Sequence, residues 1–464
     1  MVGSDRSVAP RLIARARPVR PFAQYVAEEK TMYRSVAPQV CATGQLISDL
    51  EMWRTAVKNY RISALILVLL LITFSGVSSA QNTPAAPAVD GKKPADQPAS
   101  PPAPTVLPTP AITGPLQGIP PATLDGGPFG KLAVNGVVNG LGMWTGNYIP
   151  GDNATQAGLS NGQVFIQKTD GWFQFYVQAG AYNLPALGTP FLATDKTLTN
   201  FYGPVPVAFA KLQAGKNTSF EIGALPTLMG AEYTFTFENM NVERGLLWNQ
   251  ENAVNRGIQA NYSVGPLALS VAWNDGLLSN RYTWAWLSAA YTIDKANSVS
   301  FVGGGNLRRT TVNTPVTPLF QNNEQIYNVI YTHTAGPWII QPYLQYTRVP
   351  TIPAIGSLKE ASTYGGALLV NYTSDKIAGL SLPMRFEYIA TTGSATDGSA
   401  NLMYGPGSKA WSITVTPTYQ HKIFFARAEV SFVQASGTAP GAAFGSSGND
   451  KTQTRGIIEA GLLF

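Results

Sequence analysis

The sequence predicts an all-β chain: a transmembrane, antiparallel, up-and-down β-barrel of about sixteen strands, within an even range of about fourteen to eighteen. Three observations carry that expectation. Strand-length segments alternate apolar and polar residues with a period of two, aromatic residues close both ends of the apolar face, and short connections alternate with long ones.

Residues 1–51 read as an upstream extension, with Met52 as the expected initiator. From Met52 the chain gives Met-Trp-Arg-Thr-Ala-Val-Lys-Asn-Tyr-Arg, an apolar run from Ile62 to Phe74, then Ser-Gly-Val-Ser-Ser-Ala. A basic start, a short apolar core and small residues before Gln81 make 52–80 a signal peptide. The apolar core falls short of the roughly 20 residues that span a bilayer as a helix. Residues 81–128 are rich in Pro, Ala, Thr and Gly, a composition that favours extended, unpacked chain, and are expected to form a disordered periplasmic linker. Residues 129–464 are expected to be the barrel.

Charge follows this division. Residues 1–80 hold ten Lys and Arg against five Asp and Glu, whereas 81–464 hold twenty-two against twenty-one. The basicity belongs to the leader, so no basic face for nucleic acid remains. Cys41 is the only cysteine, which removes disulfides and thiolate sites from the exported chain.

In Trp411 to Gln420, Trp411, Ile413, Val415, Pro417 and Tyr419 alternate with Ser412, Thr414, Thr416, Thr418 and Gln420. Trp411 and Tyr419 stand eight residues apart on the apolar face. At ~3.3 Å per residue and a tilt of ~40° they are separated by about 20 Å, near the height of an outer-membrane apolar band. Trp338 with Tyr346 and Tyr364 with Tyr372 repeat the spacing. The segment Thr454 to Phe464 sets Ile458, Leu462 and Phe464 on one face and Arg455 with Glu459 on the other. Mid-strand charges recur opposite the apolar face as Arg385 with Glu387 and Arg427 with Glu429, read as ion pairs of a wet inner wall.

Sixteen strand-like segments follow Phe129, at 131–145, 161–168, 172–182, 207–214, 219–225, 257–264, 267–274, 284–293, 298–307, 326–334, 338–347, 364–373, 380–391, 411–420, 423–434 and 454–464. Tight turns such as Gly265-Pro266 and His421-Lys422 alternate with long connections, of which 226–256 is the longest and most charged. Tyr233, Phe235, Phe237 and Trp248 in that loop need burial, so it is expected to fold into the lumen. Glu232, Glu238, Glu243, Arg244, Glu251 and Arg256 are the candidates for a constriction, where fixed charge sets ion preference.

Catalysis is not expected. The two histidines, His333 and His421, fall beside tight turns and away from any Gly-x-Ser-x-Gly elbow, and two His without Cys make a zinc site or other cofactor unexpected.

The run Glu238 to Trp248, then Gln250 to Gln259, then Gly265-Pro266-Leu267 and Trp273-Asn274-Asp275-Gly276 through Asn280-Arg281-Tyr282, resembles the β-barrel porin-2 family of Gram-negative outer-membrane proteins. The resemblance implies an outer-membrane pore with no assigned substrate, and supplies no functional residues. The expected activity is passive diffusion of small hydrophilic solutes through a water-filled barrel narrowed by 226–256. The alternative is a barrel plugged by its own loops that serves as adhesin or anchor. Outer-membrane lipid and lipopolysaccharide, the outer-membrane assembly machinery acting on Phe464, and a homotrimer complete the expected partners.

Overall fold

A computed structural model describes residues 110–112 and 114–464. The expected extension, the signal peptide and most of the Pro-rich segment lie outside the described residues. The strands are β1 (Ala122–Asp125), β2 (Lys131–Gly146), β3 (Thr155–Lys168), β4 (Phe173–Tyr182), β5 (Val207–Gln213), β6 (Thr218–Pro226), β7 (Val254–Val264), β8 (Leu267–Asn274) and β9 (Trp284–Thr292). They continue as β10 (Asn297–Asn306), β11 (Gln325–Ala335), β12 (Trp338–Val349), β13 (Ala361–Thr373), β14 (Leu380–Thr391), β15 (Lys409–Val415), β16 (Thr418–His421), β17 (Phe424–Ser436) and β18 (Thr452–Leu463).

Successive strands pair antiparallel, and β18 returns to β2 with Thr454 opposite Gly146 and Leu463 opposite Val137, which closes the sheet. Both β15 and β16 lie between β14 and β17, so they are one wall strand broken at Thr416–Pro417. Pro417 has no N–H to give the ladder, which interrupts the pairing there. Counting that strand once and setting β1 aside leaves sixteen wall strands. Closure matters because hydrocarbon offers no partner for a free strand edge.

The alternation decides which face looks where. Outward residues such as Phe386, Tyr388 and Ile458 are exposed, the last at 69%, while Arg385, Arg427, Arg455 and Glu459 point inward and are buried. Turn chemistry fixes the register of several hairpins. Gly265 and Gly336 have φ of 54° and 55°, and each precedes a proline held near −65°, the combination of a type II′ turn.

Strand β1 pairs with Lys131 to Val134 of β2, just beyond the point where β18 ends. The chain before it is also ordered from residue 114, so structure begins earlier than Phe129. Leu116 is buried inside the barrel mouth, and Ile112 and Ile119 pack beside it. The long connection after β6 turns into the bore, and the connection after β4, which carries the short helix α1 (Thr194–Asn200), packs against it.

Candidate functional site

Three inward strands supply the charged wall: Arg385 and Glu387 from β14, Arg427 and Glu429 from β17, Arg455 and Glu459 from β18. All six are at most 5% exposed, because the loop between β6 and β7 lies on top of them. Arg385 bridges its own strand and the loop, at 3.1 Å to Glu387 and 2.5 Å to Glu232. The antiparallel register sets Arg427 opposite Glu459, and they pair at 3.3 Å. Arg427 therefore pairs across strands and not with Glu429, two residues along its own strand. Arg455 likewise pairs with Glu243 of the loop at 2.6 Å, not with Glu459.

Backbone completes the latch. Glu429 accepts the N–H groups of Val242 and Glu243 at 2.5 and 3.0 Å, and Glu387 accepts that of Leu247 at 3.2 Å. Glu232 accepts the N–H of Gly245 at 2.8 Å. Gly245 is required here, since a Cβ would land on the Glu387 carboxylate. Arg427 also donates to the carbonyls of Thr236, Asn239 and Met240 at 2.8 to 3.0 Å. Buried charges persist only when paired and hydrogen-bonded, and these groups hold the loop by meeting each other's needs.

The remaining loop candidates differ in environment. Arg244 is fully buried, donates to the Thr234 carbonyl at 2.8 Å and stacks on Trp248 with its guanidinium 4.7 Å from the ring centroid. Desolvation lowers its pKa to about 10, opposed by Glu232 and other neighbouring acids. Glu238 is pushed up to about 7 by burial, offset by N–H donors from Phe235 and Ala111. Burial likewise pushes Glu251 up to about 8, although the Tyr343 hydroxyl donates to it at 2.9 Å. Arg256 stands apart. On β7 it shares the outward face with Ile258 and Tyr262, pairs with Asp275 at 2.9 Å, and has a side chain 42% exposed, so it does not line the lumen.

Eight buried glutamates, Glu232, Glu238, Glu243, Glu251, Glu324, Glu387, Glu429 and Glu459, thus face four guanidinium groups, Arg244, Arg385, Arg427 and Arg455. Beside the loop runs a cavity of about 230 Å³ bounded by Gln178 and Val207 of the wall and by Pro226 to Gly230, Glu232 to Phe235 and Glu238 of the loop. Its lining carries two acids and no basic side chain.

Several participants had weak signals in the sequence. Ala186 and Thr189, in the connection before α1, offer carbonyls to Arg455. Thr236, Ser160 and Asn139 all donate to Glu459, and Ser412 and Thr416 donate to Glu387 and Glu429. Small polar residues on alternating inward positions were visible, but not which carboxylate each would serve. His333 meets Asn297 at 2.8 Å beside its turn, and His421 ends β16 at the surface.

On the outer face, Trp338 lies opposite Tyr372 with ring centroids 4.8 Å apart, and Tyr346 lies opposite Tyr364. Trp411 stands opposite Tyr388 and packs on Phe432 at 5.4 Å; Tyr419 is 44% exposed near the short-turn end. Phe464 exchanges backbone hydrogen bonds with Gly136 at 2.6 and 3.0 Å, its ring lying where a Cβ of residue 136 would be.

A closed sixteen-strand barrel with greasy outer and ionised inner faces, and a loop latched into its bore, defines an outer-membrane porin. The chain belongs to the family described as "Putative beta-barrel porin-2, OmpL-like", whose profile matches residues 131–464. Among solved structures it is similar to an anion-selective porin from Comamonas acidovorans, at 12% identity over 72% of this chain and 99% of that one, with a TM-score of 0.51. It is also similar to the outer membrane channel DcaP of Acinetobacter baumannii (10% identity, 72% and 97% covered, TM-score 0.49). A third is OmpF of Salmonella typhi in complex with daunomycin (14% identity, 74% and 100% covered, TM-score 0.48). At 12% identity the likeness to the Comamonas porin speaks to the fold alone. No curated protein sequence matches the chain.

Proposed function

We propose that this porin conducts small hydrophilic solutes passively and favours cations over anions. The observation that carries the reading is the excess of carboxylates over guanidinium groups inside the barrel, with Glu238 on the cavity outside every ion pair of the latch and Glu232 beside it shared with Arg385. In a water-poor constriction, fixed charge of one sign raises the local concentration of the other. Arg385, Arg427 and Arg455 are each matched by a carboxylate of the latch, which leaves Glu238, paired with none of them, to set the sign of the cavity. The reading includes no catalytic step, nucleic acid or cofactor. It includes outer-membrane lipid and lipopolysaccharide around the apolar band, the assembly machinery acting on Phe464, and a homotrimer.

Planar-bilayer recording of the refolded full-length exported chain under a salt gradient tests it. A reversal potential of cation-selective sign is expected, and Glu238→Gln is expected to move it toward zero. An anion-selective sign defeats the proposal. Electrically silent insertion favours the second reading, an adhesin or anchor, for which the dense latching of the loop is the supporting observation.

A further inference from the structure

The periplasmic mouth of the barrel contains a stretch of its own chain. The short turns mark this end, and the inward residues on the strands that rise from them include Phe165, Phe209 and Phe425. Leu116, 1% exposed, is sealed into the apolar cluster these residues form with Leu463 and with Phe235 of the loop. Backbone groups on either side are also held. Gln420 accepts the N–H of Gln117 at 2.6 Å and donates to its carbonyl at 3.0 Å, the reciprocal pairing that an added strand would make. Asn135 donates to the carbonyl of Ile119 at 2.9 Å. Further in, the N–H of Ala111 reaches Glu238 at 3.2 Å, and Gly114 passes so close to the loop that a Cβ would stand 3.2 Å from the Asn239 carbonyl.

We infer that the periplasmic mouth is a binding site for an extended peptide, that its resident is the chain's own residues 110–112 and 114–119, and that this resident is a stopper on the conduction path. Glu238 joins the two, for it lines the cavity and is capped from below by Ala111. The recognition is of a specific kind. One leucine fills an apolar socket, small residues skim the loop, and side-chain amides of Gln420 and Asn135 read backbone, as in strand addition. An inert tether crossing the rim needs none of these. The inference rests on the channel reading for its consequence, but not for the existence of the socket.

Two measurements on the full exported chain separate these parts. Leu116→Glu places a charge in the socket and is expected to raise single-channel conductance severalfold. A synthetic peptide of residues 108–121 added to the periplasmic side is expected to block that variant while leaving the unaltered protein unchanged. Independently, Leu116→Cys is expected to react slowly with a membrane-impermeant maleimide, and Gly118→Cys, where a side chain has open space, to react fast. Equal rapid labelling at both positions overturns the socket. Unchanged conductance in Leu116→Glu, with no peptide block, overturns the stopper. Silence of every variant with protected Leu116→Cys upholds the socket, overturns the stopper and defeats the channel reading instead.

Discussion

The two sides of the bore are built on opposite principles. The wall of β14, β17 and β18 carries six ionisable side chains, all buried beneath the loop. The wall of β7 to β11 presents no charged side chain inward. In its periplasmic half it offers half-buried Gln259, Asn261, Ser270 and Ser288, and in its outer half Trp284, Trp286, Val302 and Ile326 pack with Met229 and Leu277. One wall holds the loop through charge and backbone. The other meets it mainly through apolar packing and neutral amides. A loop anchored so unequally is positioned by the charged wall, and the free space lies along neither of these walls but against Gln178 of β4 and Val207 of β5.

The largest test compares one anchor from each wall. Arg385→Ala strands Glu232 and Glu387 without their cation, and loss of one partner from a buried pair costs about 3–5 kcal/mol. Asn328→Ala removes a neutral acceptor of the Gly230 N–H, 2.8 Å away, and an amide bond to Gln345, at about 1–3 kcal/mol for the donor left unpaired. Proteolysis of the loop, and the detergent unfolding temperature, are expected to change far more in Arg385→Ala. Equal effects would break the contrast between the walls.

A middle-sized effect concerns pH. Glu251 meets Tyr343 of β12 and faces the acids Glu232, Glu387 and Glu324, and burial raises it to about 8 from an ordinary value of 4.5. The folded loop therefore holds a proton that the unfolded chain has already released. Stability from this group is full below pH 4.5 and is lost as pH rises toward 8, so the loop is expected to loosen on the alkaline side. Protease susceptibility of the loop is expected to climb between pH 4.5 and about 8. Glu251→Gln is expected to flatten that climb; an unchanged slope would assign it to another group.

How much of this was legible follows from range of interaction. The outer face was readable because Trp411, Ile413, Val415 and Tyr419 obey a local period of two, and hairpin turns such as Gly336-Pro337 declare themselves in two residues. Infolding of 226–256 was readable from its aromatic content. The ion-pair partners were not. Arg427 finds Glu459 and Arg455 finds Glu243 only through sheet register and loop path, which bring together residues 32 and 212 positions apart. Arg256 was misplaced because β7 begins at Val254, three residues before the apolar pattern showed it, so the residue fell on an outward position of a strand and not in the loop. The ordered stretch from Gly114 was hidden by its Pro-rich surroundings. Yet Ile112, Leu116 and Ile119 bring bulky apolar residues that residues 81–105 almost lack.

The smallest effect serves as a control, because the outer face treats both walls alike. Trp411 of β15 stands outside the charged wall and packs on Phe432; Trp273 of β8 stands outside the neutral wall and donates to the Tyr282 carbonyl at 2.7 Å. Both are lipid-side residues, 42% and 60% exposed, with no contact to the latch. Trp→Phe at either position keeps most of the ring and is expected to cost under about 1 kcal/mol, by a similar amount in each. Detergent unfolding of the two variants measures it. If Trp411→Phe proved much the more damaging, the sensitivity of the charged side would lie in its outer packing. Arg385→Ala would then be reporting a generally fragile wall, not the loss of a buried ion pair.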